Sequence, residues 1–380
     1  MRINTSEKEK CCGCSTCSLR CPRHAIKMKK DELGFLYPEI DDTKCTNCGL
    51  CYKICPFNSP QTNYSSLPIV YAARSKNQVD LEKSQSGGLA FLFSSYFLQQ
   101  GGIVYGAELS ADQGVHHIRV SKEGDLNKLR GTKYAQSDIA GIFSMIKKDL
   151  STDNIVLFIG TPCQVAGLKS YLHNDISHLY TIDLVCHGVG SPTIWNEYLH
   201  YLSKKFKGKI TKANFRDKQF GWTTARESYL IGKETISRRT YLDLYLKGFI
   251  QRESCYKCPF TNMNRVGDIT LGDFWGWTNH HKDFDDDKGI SLVLINSQKG
   301  ESLYNKINKL CNYIESNVDD CLQPQLQYPT EKNIKRDDFI RNFTERGFEY
   351  VGYKYGDMSI SYKIHQKLSA IKTFLTKWQR

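Results

Sequence analysis

The sequence predicts two structural parts: a small cysteine-rich α+β module at the N-terminus, then a larger α/β core with a mostly parallel sheet. Three observations predict this. Nine of the fifteen cysteines fall within residues 11–55, and none occurs between Cys55 and Cys163. From residue 69 onward, short strand-like runs rich in apolar residues recur at 69–73, 103–107, 155–159, 180–185 and 290–295, and the run at 155–159 is unbroken. Helical patterns separate several of them, and that alternation favours a parallel sheet covered on both faces.

The N-terminal module comes first. Its cysteines form two runs of one spacing, Cys11-x-x-Cys14-x-x-Cys17-x-x-x-Cys21-Pro22 and Cys45-x-x-Cys48-x-x-Cys51-x-x-x-Cys55-Pro56. This is the bacterial ferredoxin spacing for two 4Fe-4S clusters, in which the fourth cysteine of each run serves the other cluster. By that rule Cys11, Cys14, Cys17 and Cys55 hold one cluster, and Cys45, Cys48, Cys51 and Cys21 hold the second. Zinc ribbons use two cysteine pairs and a long spacer instead. Cys12 adjoins a ligand, but the spacing selects Cys11. Residues 35–40 read as a short strand over the clusters, and residues 58–63 as a linker. The module is therefore expected over residues 1–62.

In the core, residues 69–73 and 103–107 read as strands flanking an apolar helix that follows Ser86-Gly87-Gly88. The run at 155–159 ends at Gly160-Thr161-Pro162, with a helix expected over residues 163–172 and Pro162 in its first turn. The strand at 180–185 ends at Cys186-His187-Gly188, and residues 290–295 give another strand. The core is expected over residues 63–330, in an N-terminal part (63–150) and a C-terminal part (151–330). A basic helical tail follows over residues 331–380. There Ile364, Leu368, Ile371 and Leu375 recur at helical spacing among lysines. Such a helix can lie on anionic lipid, but packing on its own domain is the favoured expectation.

Four more cysteines stand where strand ends meet. Cys163 and Cys186 each follow a predicted strand, and functional groups collect at the carboxyl ends of parallel strands. Cys255-Tyr256-Lys257-Cys258 adds a C-x-x-C pair and completes a four-thiolate set. Zinc fits that donor set equally well on geometry; the two upstream clusters tilt the choice to a third 4Fe-4S cluster. Cys311 and Cys321 have no ligand spacing and read as structural.

Composition bounds the rest. The chain has 380 residues and a net charge of +12. Ten Lys/Arg face seven Asp/Glu over residues 1–62, and eleven face six over residues 331–380. A basic surface near the clusters suits an acidic electron-carrier protein or the subunit of a partner enzyme. No nucleic-acid motif is present. Residues 1–10 are polar, and the longest apolar stretch, residues 87–98, is too short to span a bilayer. Thiolate ligands together with these features imply a soluble protein of the reducing cytoplasm.

Five motifs occur in order: Lys83-Ser84-Gln85-Ser86-Gly87-Gly88, Gly160-Thr161-Pro162-Cys163-Gln164, Asp183-Leu184-Val185-Cys186-His187-Gly188, Cys255-Tyr256-Lys257-Cys258-Pro259-Phe260, and Gly267-Asp268-Ile269-Thr270-Leu271-Gly272-Asp273-Phe274-Trp275-Gly276. As an ordered set they resemble the beta subunit family of coenzyme F-420 hydrogenase and dehydrogenase, with a fused N-terminal ferredoxin. The likeness covers roughly residues 1–300. It implies an oxidoreductase carrying FAD beside a core cluster at Cys163, Cys186, Cys255 and Cys258. The flavin would exchange hydride with coenzyme F-420 or another small molecule. A non-catalytic protein relaying electrons to a partner enzyme is the alternative.

No G-x-G-x-x-G fingerprint marks a dinucleotide site. Ser86, Gly87 and Gly88 at a helix start are the better phosphate candidates, and Gly160 and Thr161 could form a second cradle, with Gln164 just beyond. Lys133, Tyr134 and Gln136 offer a cation, an aromatic face and an amide. Phe215-Arg216-Asp217-Lys218 with Gly221-Trp222 could bind an anion or be a solvated hairpin. His187 is the candidate proton donor, with orienting a ligand loop as its other reading.

Overall fold

The computed structural model describes residues 1–58, 67–110, 112–173, 176–277 and 286–358. Most of the expected linker and the tail residues Ile364, Leu368, Ile371 and Leu375 lie outside them. Among the described residues, no helix is long and apolar enough to cross a membrane.

The N-terminal module is built twice over. Single-turn helices α1 (Thr16–Leu19) and α2 (Leu50–Lys53) carry Cys17 and Cys51. Between them, β1 (Ile26–Lys30) pairs antiparallel with β2 (Leu36–Ile40), Ile26 facing Ile40. Asp31 Oδ1 accepts from Leu33 N and Phe35 N and so closes the hairpin.

The core sheet comprises β3 (Ile69–Ser75), β4 (Ile103–Leu109), β5 (Val115–Val120), β6 (Val156–Gly160), β7 (Leu179–Leu184), β11 (Ile269–Asp273), β12 (Ser291–Ile295) and β13 (Cys311–Ser316). Among the described residues its order is β13-β3-β12-β11-β7-β6-β4-β5. The adjoining strands β11, β7, β6 and β4 are parallel. The outer strands join antiparallel, including β3 and β12, whose direction the sequence pattern leaves open. Helices cover both faces, so β12 is buried along its whole length and is apolar after Ser291.

A second, antiparallel sheet joins β8 (Ile210–Asn214), β9 (Glu227–Ile231) and β10 (Glu234–Arg238). It packs on α7 (Pro192–Lys205) through an aromatic cluster in which Trp195 stacks on Phe215 at 4.0 Å. The remaining α-helices among the described residues are α3 (Gln78–Lys83), α4 (Leu89–Gln99), α5 (Ile142–Leu150), α6 (Pro162–Leu172), α8 (Thr240–Leu246), α9 (Gln298–Ile307), α10 (Val318–Cys321) and α11 (Arg336–Lys354).

One helix decides how the two parts meet. Every residue of α6 except Cys163 is buried, because the helix lies between the sheet and the N-terminal module. A Cβ at Gly167 would stand 2.7 Å from Cys14 Cβ, and Thr16 Oγ1 donates to Gly167 O at 2.8 Å. Only glycine admits that approach.

Candidate functional site

The N-terminal thiols fall into two groups. Cys11, Cys14, Cys17 and Cys55 surround one space: burial pushes Cys17 well up, and Cys14, Cys11 and Cys55 act on it in turn. Burial likewise pushes Cys55 up to about 11. Cys21, Cys45, Cys48 and Cys51 line a separate cavity with Arg2 and Arg23 on its wall, and Cys48 is exposed.

A third cavity lies at the carboxyl edge of the parallel strands and collects Cys163, Cys186, Cys255 and Cys258. Local chemistry aims each one. Thr161 caps α6, its N–H donating to Gln164 Oε1 at 3.0 Å, and this sets the half-buried Cys163 in the first turn of the helix. Gly188 N donates to Cys186 Sγ at 3.3 Å, and Val189 N donates to Cys255 Sγ at 3.4 Å. Amides aimed at sulfur favour the ligating thiolate. Gly188 has φ of 105°, and a Cβ there would meet Cys255 Cβ at 3.1 Å. Behind the cavity, Arg265 and Asp183 form a fully buried ion pair at 2.8 Å. Asp183 also accepts from Val266 N and Gly267 N. Burial pushes Cys186 up to about 12, so an uncharged thiol is favoured until a cation shares the site.

Two further residues at this junction have no role in the spacing argument. Cys12 lines the same cavity as Cys163, and the thiols that act on it most are Cys14 and Cys163, one from each neighbouring group. The neighbouring Cys12 thiol lowers Cys14 to about 6 and lowers Cys163 as well. The second run has Thr46 at the matching position, and this departure from the repeat was the available signal. Arg252, fully buried, donates to Cys11 O at 2.6 Å, Leu36 O at 2.7 Å and Gln136 Oε1 at 3.0 Å. No spacing rule points to it. Among the described residues, no three His, Cys, Asp or Glu side chains converge as a mononuclear ion requires.

The residues expected around a flavin divide. Ser86-Gly87-Gly88 does start a helix, α4, whose cap residue Gly88 has φ of 87° and supplies no capping side chain. Gly87 N is taken by Ser291 Oγ at 3.0 Å, and Ser86 Oγ donates to Ile290 O. Arg130 reaches Ser84 Oγ at 3.0 Å, and Lys218 Nζ reaches Ser84 O and Ser86 O. Lys133 Nζ donates to Leu129 O and Arg130 O. Burial lowers Lys133 to about 7 and Lys218 to about 8. Lys218 and Arg130, the latter also paired with Asp80, therefore stand beside a helix start that has no capping side chain. Tyr134 lies 4.7 Å from Tyr245, which lies 5.4 Å from His187. Gln136, Gly160, Thr161 and Gln164 have internal partners. Gln136 Nε2 donates to Cys12 O, Gln164 Nε2 donates to Ser137 Oγ, and a Cβ at Gly160 would meet the Phe158 ring at 2.8 Å.

Among the described residues, the buried polar atoms without a hydrogen-bond partner include Gln85 Nε2, His187 Nε2 and Arg216 Nε. A bound polar ligand would satisfy such groups. Burial holds His187 below its usual value. The segment Phe215-Arg216-Asp217-Lys218 is not a solvated hairpin: Phe215 and Arg216 are buried, and Arg216 pairs with Asp273 at the end of β11. Cys311 and Cys321 are buried in apolar clusters.

Comparison with known proteins agrees with this layout. Residues 10–59 match the model of the 4Fe-4S dicluster domain, and residues 153–319 match that of the C terminus of the coenzyme F420 hydrogenase/dehydrogenase beta subunit. The coenzyme F420-dependent sulfite reductase of Methanocaldococcus jannaschii is 28% identical over 162 residues, 42% of this chain and 24% of that protein. This chain thus spans about a quarter of that relative. An uncharacterized protein of the same organism is 23% identical over 381 residues, covering 87% of this chain and 96% of the relative. A chain of the F420-reducing NiFe hydrogenase complex from Methanosarcina barkeri is 17% identical, with a TM-score of 0.48 over 76% of this chain and 91% of that chain. Residues 153–319 are thus similar to the C terminus of the coenzyme F420 hydrogenase/dehydrogenase beta subunit, and they follow a 4Fe-4S dicluster domain at residues 10–59.

Proposed function

We propose that this chain is an iron–sulfur flavoprotein oxidoreductase passing electrons between a protein partner and a hydride-exchanging small molecule. The observation that carries this reading is the cavity where Cys163, Cys186, Cys255 and Cys258 meet, against the cysteine module and at the carboxyl edge of the sheet. When bound, 4Fe-4S clusters supply one-electron steps, and FAD couples them to hydride transfer.

Cys11, Cys14, Cys17 and Cys55 would hold one cluster, and Cys21, Cys45, Cys48 and Cys51 a second. The four core cysteines would hold a third, with Arg265 bracing their loop. Ser86, Gly87 and Gly88, beside Arg130 and Lys218, suit the pyrophosphate of FAD. Tyr134 offers a ring face. Gln136, Gly160, Thr161 and Gln164 hold the start of α6 between that region and the thiols. His187, with Nε2 unpaired, would hold a proton there. The exposed Cys48, flanked by Arg2 and Arg23, suits docking of an acidic electron carrier or of a partner enzyme. Coenzyme F420 is the first candidate substrate, because a relative is named for its use. Thiolate ligation of this kind suits a reducing cytoplasm.

Anaerobic reconstitution, with iron and flavin quantified, tests the reading. About twelve irons and one FAD per chain are expected, with F420 turnover against dithionite. Zinc without flavin overturns it. Iron without flavin leaves an electron relay for a partner enzyme.

A further inference from the structure

Arg252 carries a charge that no carboxylate answers. Its side chain is fully buried, and among the described residues no acidic group lies within ion-pair distance. A buried guanidinium requires a countercharge. Its hydrogen-bond partners are the neutral oxygens of Cys11, Leu36 and Gln136, and its centre lies 4.1 Å from the Tyr37 ring centroid. What remains is sulfur: Nη2 stands 3.6 Å from Cys11 Sγ. Gly13 makes room for this contact. At φ of 73°, a Cβ on it would meet Arg252 Nη1 at 2.9 Å. The second run has Asn47 at that position, and its cavity wall carries two arginines, both exposed: Arg23, and Arg2, which lies beside Cys45 and is already paired with Asp42.

The difference bears on electron flow. A cluster buried away from water is harder to reduce, because the added negative charge is poorly solvated. By burial alone the inner cluster would resist electrons arriving from the exposed one. A fixed cation at its ligand opposes that effect.

We propose that Arg252 is the countercharge of the cluster held by Cys11, Cys14, Cys17 and Cys55, and raises its reduction potential so that electrons entering at the Cys48 end run inward. The proposal rests on reading those cysteines as cluster ligands. Arg252 is thus a positioning and tuning residue whose partner is the cluster, placed three residues before the core ligand Cys255.

Potentiometric titration followed by electron paramagnetic resonance on the reconstituted full chain tests this with Arg252→Gln, Arg252→Lys and Gly13→Asn. In Arg252→Gln, one N-terminal midpoint is expected to fall while the other stays. Gly13→Asn, which copies the second run and displaces the guanidinium, is expected to act in the same direction. Arg252→Lys keeps the charge and is expected to stay near the parent midpoint. Unchanged midpoints in Arg252→Gln overturn the proposal, and so does Arg252→Lys falling as far as Arg252→Gln. Should Arg252→Gln fail to assemble, the Lys variant decides: a retained midpoint supports the charge, and a lowered one overturns it. Flavin and core-iron content are measured on the same samples, so failure of the functional reading above registers separately.

Discussion

At Cys11-Cys12-Gly13-Cys14 and at Cys45-Thr46-Asn47-Cys48 the backbone makes the same turn, with φ of 73° at Gly13 and 52° at Asn47. Two residues on, Ser15 and Gly49 are again left-handed, at 65° and 78°. The runs are copies in covalent and local terms, but their surroundings differ. Cys14 lies against Gly167 of α6 and is buried, whereas its counterpart Cys48 is exposed. Glycine sits where something presses from outside: Arg252 at Gly13, and the Met1 carbonyl at Gly49. One motif thus yields an inner and an outer site, and docking on the core makes the difference.

If docking makes it, damage to the core should reach the inner run and spare the outer. The largest effect is expected from Asp183→Asn, which leaves Arg265 buried without its charge partner. Loss of about 3–5 kcal/mol is expected in denaturant unfolding, with core iron lost and the Cys48 cluster retained. Equal loss from both N-terminal clusters would break the comparison. Next comes Gly167→Val, which drives a side chain into Cys14. It should cost about 1–3 kcal/mol and open the junction to limited proteolysis; unchanged proteolysis would mean that α6 is not the docking surface.

Cys14→Ser and Cys48→Ser sharpen the comparison further. Each should remove about four irons. In the iron-free chains, Cys14→Ser should lower stability by about 1 kcal/mol, and Cys48→Ser should stay within about 0.5 kcal/mol of the parent. The smallest effect belongs to Arg2→Gln. Its exposed pair with Asp42 should leave unfolding unchanged, while association with an acidic carrier protein at low salt weakens.

How much of this was legible along the chain follows from the range of the forces involved. The grouping of the eight N-terminal cysteines was readable because spacing along a few residues of local backbone sets it. β6, β7 and β12 were readable because burial on both faces keeps them mostly apolar, with Asp183 of β7 admitted by its pairing to Arg265. The sheet of β8, β9 and β10 was not: Glu234 and Thr235 are exposed, and this edge strand lacks an apolar signature. The solvated alternative for Phe215 and Arg216 failed because Asp273, distant in sequence, supplies the charge that lets Arg216 enter the core. Gln136 and Gln164 look like ligand-binding amides in sequence. In the fold they serve the junction and the helix cap.

The two cysteine runs that open the chain therefore state, by themselves, which sulfurs act together, since spacing determines which thiols can face one cluster. They do not state which group is inner. That depends on Gly167, Arg252 and Cys163, residues at least 108 positions beyond Cys55. Packing places them against Cys11, Cys12 and Cys14. Spacing is a local constraint and survives in a linear reading. The field and the solvent exclusion around each sulfur group are sums over everything nearby, and the tertiary structure alone decides what is nearby.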